Sequence, residues 1–395
     1  MKTIDRYILA KTMVPLTACL AIALTALLLE RLVQLLDYVV NKGGPFFIIL
    51  KMLANLIPHY LGIAVPAAFF VGILLAVMRL SGDSELDAIA AMGVGLRRLL
   101  LPLMALAVLL MVGSAVIIGV LQPYTRYAYR ALVYTVTHTA WNNALTRGSF
   151  FIGPGNMTIM IDGFADGGRD LRGIFLHDVA DDGRATTVTA EHGQLLRSTD
   201  NLQLSLRLSK GALIERNVDD RTIVLSFGRA DVPLDRALGP ITFRARGEEE
   251  RELTLWELWL LRQSPPSKLP LARIDSEINA RLVRIVSLLV LPLTAIPLGI
   301  VSRRARRSVG LVVGLILLAI YHHVLQFGES LADVGKVSPL IGLWLPFLVF
   351  SALSLWAFNA ADSRPGYNPM TATIDRLSEA LEAVARRLRR RRVSI

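Results

Sequence analysis

Residues Met52–Met78 read MLANLIPHYLGIAVPAAFFVGILLAVM and contain no Asp, Glu, Lys or Arg. A helix needs about 18 to 20 apolar residues to cross a bilayer core, so this run is long enough for a span. Five other uncharged runs are long enough too: Thr12–Leu29, Leu99–Thr125, Ile285–Ser302, Ser308–Gly328 and Val337–Ala361. The first is expected to run on past Glu30 towards Leu36. Pro58 and Pro66 in the second span, and Pro292 and Pro297 in the fourth, predict kinks.

The rest of the composition agrees. The chain is 53% hydrophobic and 19% charged, yet carries a net charge of +11. Average soluble domains are about 25% charged. The apolar fraction excludes disorder. A nucleic-acid binder is excluded because the charge is diluted by grease. A lone cysteine, Cys19, excludes a disulfide scaffold. Lys2, Arg6 and Lys11 make a basic start, but no small-residue cleavage site follows, so a retained first helix is expected rather than a signal peptide.

Lys and Arg in short flanks set orientation. Lys2, Arg6 and Lys11, then Arg79, Arg97 and Arg98, then Arg303, Arg304, Arg306 and Arg307, and finally the Arg-rich tail fall on one side if six spans alternate. That side is the cytoplasm, with both termini on it. Residues 363–395 form a basic tail in which Asp375–Arg392 reads as an amphipathic helix suited to anionic lipid.

Between the third and fourth spans lies a polar segment, residues 130–251. Short β-rich runs such as Ser149–Ile152, Met157–Ile161, Gly173–Leu176, Thr186–Ala190, Leu202–Leu208 and Arg221–Phe227 alternate with turn chemistry. Turn signals include Gly153–Asn156, Asp166–Gly168, Asp181–Gly183, Ser198–Asn201 and Asn217–Asp220. This spacing predicts eight to ten strands in a sandwich or jelly roll outside the cytoplasm. Glu252–Leu261 then reads as an interfacial helix with Trp256 and Trp259 at headgroup level, ended by Ser264-Pro265-Pro266. Ile274–Arg284 is an amphipathic lead-in to the fourth span. The predicted organisation is therefore 1–129 with three spans, 130–251 as the β-domain, 252–362 with the interfacial helix and three spans, and the tail.

Catalytic and metal motifs are missing. The histidines, His59, His138, His177, His192, His322 and His323, lack zinc-site spacing. There is no Gly-x-Ser-x-Gly elbow and no Walker A loop, since Ser330 stands where a Gly is needed before Gly335-Lys336. No cofactor and no metal is expected. His322 and His323 inside the fifth span are a neutral pair facing the bundle or a functional pair. Glu30 and Arg31, with Asp37 beyond, are an anchoring set or the lining for a charged substrate.

The loop Ser81–Gly95 reads SGDSELDAIAAMGVG. Asp83 or Ser84 can cap a helix, Glu85 and Asp87 suit its N-terminal end, and Gly93 can stop it. Leu86, Ile89 and Ala90 fall on one face. Residues 83–95 thus form an acid-bearing amphipathic helix where the positive-inside rule favours bases. It is either a connector lying on the membrane or a handle for a soluble partner.

Here the chain resembles the permease subunits of the lipopolysaccharide-transport ABC exporter, a family with F-type and G-type members. Ile4-Asp5-Arg6-Tyr7-Ile8 is similar to that family's start. Ser84-Glu85-Leu86 with Ala91-Met92-Gly93-Val94-Gly95 is similar to its second loop. Glu252–Leu258 and Glu277–Leu282 are similar to its lead-in to the fourth span. Arg147–Phe150, Thr189–Gly193 and the charged tail look F-like; Asp5-Arg6-Tyr7 looks G-like; F-type is favoured.

The resemblance implies a non-catalytic permease of the bacterial inner membrane that extracts lipopolysaccharide. A paralogous six-span permease would pair with it. Two copies of a cytoplasmic ABC ATPase would grip the coupling helix of each permease, and a periplasmic jelly-roll bridge protein would receive the lipid. Ser84, Glu85, Leu86, Ile89, Met92 and Gly93 would contact the ATPase, with Glu85 as the seated acid. Arg31 and Lys42 are candidates for the lipid phosphates. A secondary transporter with 3+3 helix repeats is the alternative. It or a membrane-embedded enzyme calls for paired carboxylates, or acids converging with histidines, and neither is expected here.

Overall fold

A computed structural model describes residues 3–41, 46–144, 150–152, 158–165, 170–179, 185–197, 204–216, 222–233, 243–263, 269–300 and 309–363. Lys42, the arginines of 303–307, the five turn segments, Ser264–Pro266 and the tail helix lie outside the described residues. The chain divides into two compact units: Met1–Arg31 with Asn55–Tyr127 and Arg246–Ile395, and Leu32–Ala54 with Ala128–Ala245.

α1 (Thr3–Asn41) and α2 (Phe46–Gly82) are long, and residues 32–41 and 46–54 of them fall in the second unit. They are followed by the short α3 (Glu85–Ala91) and by α4 (Leu96–Val116). A π-helical turn, Ile117–Leu121, joins α4 to α5 (Gln122–Ala144). After the sheet come a 3₁₀ turn (Glu250–Glu252), α6 (Leu255–Gln263), α7 (Leu271–Ser287), α8 (Leu291–Gly299) and α9 (Val309–Asp333). A second π-helical turn, Leu340–Trp344, leads into α10 (Leu345–Ser363).

Among the described residues, five helices are long and apolar enough to cross a membrane, and a sixth span is the α7–α8 pair, bent by 40°. The first span does run past Glu30. α2 and α1 continue through Pro58, Pro66 and Pro15 without a break. In the fourth span the break falls just before Pro292, where the missing N–H and the ring's bulk forbid a regular turn. Leu288, Leu289 and Val290 bond back three residues instead, at 3.0–3.4 Å. The amphipathic lead-in and the fourth span are therefore the two limbs of one bent element.

Phe69, Phe70, Ile73, Leu74 and Val77 of α2 pack with Leu99 and Leu103 of α4 and with Leu291, Ala295 and Leu298 of α8. Hydrocarbon gives helices no hydrophobic reason to associate, so close packing and polar glue must hold them. Both are present. A Cβ on Gly328 of α9 would lie 1.9 Å from the Gly342 carbonyl oxygen, so only glycine permits that crossing. Buried hydroxyl pairs, Ser287 with Tyr321 at 2.5 Å and Thr294 with Ser354 at 2.6 Å, bridge α7 to α9 and α8 to α10.

The β-unit holds β1 (Phe150–Ile152), β2 (Thr158–Ala165), β3 (Asp170–Val179), β4 (Ala185–Arg197), β5 (Leu204–Arg216) and β6 (Thr222–Pro233). Each pairs antiparallel with its sequence neighbour in one sheet of order β1 to β6. Six strands in one antiparallel sheet are found among the described residues, where eight to ten in a sandwich or jelly roll were expected. The described residues of the six expected β-rich runs lie in these strands, but β4, β5 and β6 are longer than the turn signals implied.

Their length is accommodated by a crease. Asp162, Gly173, Glu191, Lys210 and Gly228 occupy one row across five strands, and that row makes no ladder pairs although the register on either side is unbroken. Gly173 and Lys210 in this row have φ of 61° and 53°. Buried positions shift by one residue across it, from Leu171 to Ile174 and from Ala190 to Gly193. Each strand therefore keeps the same face inward on both sides of the bend. An open groove of about 940 Å³ lies along the crease.

Candidate functional site

Two sites stand out in the helical unit. The first is α3, the loop helix. It spans seven residues, Glu85–Ala91, not the whole of 83–95. Ser84 precedes it at φ 60° and makes no side-chain capping bond, so the expected hydroxyl cap is corrected. A capping residue ordinarily takes extended backbone angles, which Ser84 does not. Gly93 does end the helix, at φ 81°, donating to the Ala90 carbonyl at 2.9 Å.

The faces of α3 are unequal. Leu86 packs on the membrane core and Ile89 is half-buried, whereas Asp83, Ser84, Ala88, Ala91, Gly93 and Met92 are exposed, Met92 by 68%. Of the expected apolar face, Leu86 and Ile89 hold the helix down while Ala90 is exposed with the residues open to a partner. Glu85 also turns inward. The Tyr7 hydroxyl of α1 donates to its Oε2 at 2.6 Å, and Lys11 Nζ lies 3.7 Å from its Oε1. Arg98 at the start of α4 pairs with Asp5 of α1 at 2.7 Å, and Arg97 with Asp362 of α10 at 2.9 Å. The start of α1, the 83–98 loop and the end of α10 thus share one end of the helical unit, as six alternating spans require.

The second site is at the other end. Arg281 and Glu277, one turn apart on α7, pair at 2.7 Å with side chains only 3% and 7% exposed. Arg281 also donates to the Leu253 carbonyl at 2.7 Å. Arg284 pairs with Glu329 of α9. Arg251 reaches Glu277, Glu329 and Asp333 at 3.7, 3.6 and 3.3 Å. Burial works against the Arg251 charge, but Glu277, Glu329, Asp333 and Glu250 outweigh it and push its pKa up. This network clasps the chain returning from residue 246 onto α7 and α9.

The clasp is extended by a reciprocal cap. Glu257 accepts from the Thr254 amide at 2.8 Å, while the Glu257 amide donates to Thr254 Oγ1 at 3.2 Å. The Thr254-x-x-Glu257 spacing of a capping box was available in the sequence and was missed. Arg246 joins Glu257 and lies over the Tyr124 ring, 4.2 Å from its centroid. Burial pushes the Glu257 carboxyl up, but the Thr254 amide, Arg246 and the Thr254 hydroxyl hold it below its ordinary range. Leu258 is buried against Leu269 and Ile274. Trp256 and Trp259 stack with centroids 5.4 Å apart on the exposed face, the amphipathic arrangement expected of α6.

A cavity of about 660 Å³ opens beside this network, lined by His59, Arg126, Arg251, Arg281, Arg284 and Glu329, with His322, His323 and Glu277 also on its wall. Four arginines against two glutamates leave the lining net positive. His59 is bridged to Gln122 at 3.0 Å, and the charges acting on it come from Arg126, Arg284, Arg31 and Arg251. Arg31 is not among the lining residues, and Lys42 lies outside the described residues. The expectation that acids and histidines do not converge is corrected: Glu277 and Glu329 share this wall with three histidines. Linear reading missed it because α2, α7 and α9 each bring a part. Both carboxylates are ion-paired with arginines, which suits a structural clasp rather than proton exchange. Among the described residues no group of His, Cys, Asp and Glu could hold a metal ion.

Apolar spans thus surround a net-positive cavity, and a small exposed helix lies at the far end of the same unit. The family model described as lipopolysaccharide export system permease LptF/LptG matches residues 6–360. The chain belongs to that family. It is similar to the lipopolysaccharide export system permease protein LptF of Escherichia coli strain K12 and to that of Shigella flexneri. Each is 22% identical over 372 residues, covering 92% of this chain and 96% of the relative. As an LptF/LptG permease the chain is a multi-pass inner-membrane subunit of the lipopolysaccharide export system, and its part in that system is not catalytic.

Proposed function

We propose that this LptF/LptG permease is the F-type subunit, pairs with a paralogous six-span permease, and is driven by a cytoplasmic ABC ATPase seated on α3. The observation that carries the docking reading is α3 itself. It is a short helix between two spans, anchored by Leu86 and Glu85 and presenting Asp83, Ser84, Ala88, Ala91 and Met92 outward. An acidic helix with a small apolar face suits a cationic groove on a soluble partner. Two ATPase copies would serve the two permeases. In this reading both termini are cytoplasmic, and the β-domain, 130–251, is periplasmic and hands lipid to a jelly-roll bridge protein. The F-type assignment is supported by the two relatives' names.

The cavity beside Arg126, Arg251, Arg281 and Arg284 is the site where a phosphorylated lipid headgroup would rest, with Arg31 contributing charge. Arginine forks suit phosphate oxygens in a bidentate manner. Purification in mild detergent followed by identification of co-eluting chains tests the assembly: an ATPase and a second six-span permease are expected, and their absence overturns it. Met92→Asp, on the exposed side of α3, is expected to abolish ATPase co-purification, and unchanged capture and export remove that side from the contact. Arg31→Glu with Arg126→Glu is expected to abolish lipid stimulation of ATP turnover; intact stimulation refutes the headgroup site.

A further inference from the structure

The Glu85 carboxylate is engaged on both oxygens by a single face of α1. Tyr7 and Lys11 are four residues apart, one turn of helix, and so share that face. Tyr7 takes Oε2 and Lys11 takes Oε1. Lys11 Nζ also lies over the Tyr7 ring, 5.3 Å from its centroid, so the three side chains form one cluster. Two helical turns of α1 are thereby bound to the first residue of α3. The neighbouring Asp5 is bound separately by Arg98 of α4. The start of α1 is fastened on both sides of the 83–98 loop.

We propose that Tyr7 and Lys11 are positioning residues that latch α3 to the first span, so that a displacement of α3 is delivered to α1. The proposal rests on the docking reading of α3 given above. A lone exposed ion pair is worth little, because water competes for both charges. A neutral hydroxyl donating to a carboxylate is stronger and directional. Tyr7 therefore carries most of the latch, and Lys11 aligns the carboxylate to receive it. Without the latch, α3 still packs on the bundle through Leu86, a contact that resists separation more than sliding. Tyr7 is 40% exposed, and its hydroxyl is spent on Glu85.

The test uses the full permease complex and the variants Tyr7→Phe, Lys11→Met and their combination. All three sit on an exposed or half-buried helix face and keep helix propensity, and Lys11→Arg serves as the conservative control. Two quantities are read. Deuterium uptake at residues 85–91 is expected to quicken about tenfold in the double variant, the scale of one lost charged hydrogen bond. Lipid released per ATP hydrolysed in proteoliposomes is expected to fall about tenfold as well, while ATPase co-purification is retained. Lys11→Arg is expected to behave as the parent. Unchanged exchange at 85–91 overturns the latch, and parental lipid release per ATP in the double variant overturns its role in transmission. Failure of the parent chain to capture an ATPase is a separate result: it overturns the docking reading and the transmitted motion with it, whereas the exchange measurement judges the latch alone.

Discussion

Arg281→Met tests whether the buried pair on α7 acts as a unit. The Arg281 side chain is 3% exposed and its partner Glu277 7%. Truncating one member of such a pair leaves the other charge buried and costs about 3 to 5 kcal/mol. Here the lower end applies, because Arg251 still faces Glu277 at 3.7 Å. Arg281→Met is therefore expected to cost about 3 kcal/mol, and Glu277→Met a similar amount, since it strands a guanidinium. The double variant removes both charges and keeps the volume. What remains is the Leu253 carbonyl, which loses a 2.7 Å bond and can turn partly to water, a cost of about 1 kcal/mol. Coupling between the sites is then about 5 kcal/mol, above the roughly 0.5 to 3 kcal/mol usual for residues in one network, because each single variant strands a buried charge. Equilibrium unfolding of the detergent-solubilised chain in SDS, followed by tryptophan fluorescence, measures all three. A double variant as unstable as the sum of the singles refutes the pair as a coupled unit.

Gly328→Ala is expected to lower stability by about 1 to 3 kcal/mol in the same titration, because its Cβ would meet the Gly342 backbone with no room to yield. Thr254→Ala is expected to cost about 1 kcal/mol and to speed amide exchange at 255–258 about fivefold. Since the folded state holds the Glu257 carboxyl below its ordinary value of 4.5, the capping box should be fully stabilising above that pH and be lost as pH falls through the lower folded value. Exchange at 255–258 should therefore quicken only in acid, and a change centred near neutral pH contradicts it. Lys210→Gly is expected to stabilise the β-domain by up to about 1 kcal/mol by relieving a left-handed backbone at φ 53°, read as slower exchange in β4 and β5.

The helical spans were legible because hydrocarbon imposes a length and excludes charge, and both requirements act on consecutive residues. The strands were legible from alternation, but the sheet was not. Turn residues mark where a chain bends, and Gly173 and Gly228 mark a bend within strands, not between them. Gly93 was readable as a stop because a glycine at the end of a short periodic run has few other uses. Asp83 and Ser84 were both possible caps by residue type, and the structure removes Ser84 because capping depends on φ and ψ, which residue type alone does not determine. Glu277–Arg281 was visible as an i, i+4 pair, yet its burial and its bond to Leu253 depend on a segment 28 residues away.

The amino-acid order by itself determined the membrane class, the count of spans with the bent fourth, the place of the β insert and the presence of a loop helix. Each follows from local hydropathy, charge or turn chemistry. Only the tertiary structure decided which face of α3 is free, that Tyr7 and Lys11 hold Glu85, and that arginines from α5, α7 and the 250s share one cavity. Those facts depend on helix rotation and on contacts between distant segments. Rotation is set by packing such as Leu86 on the core and Gly328 on Gly342, which no single stretch contains.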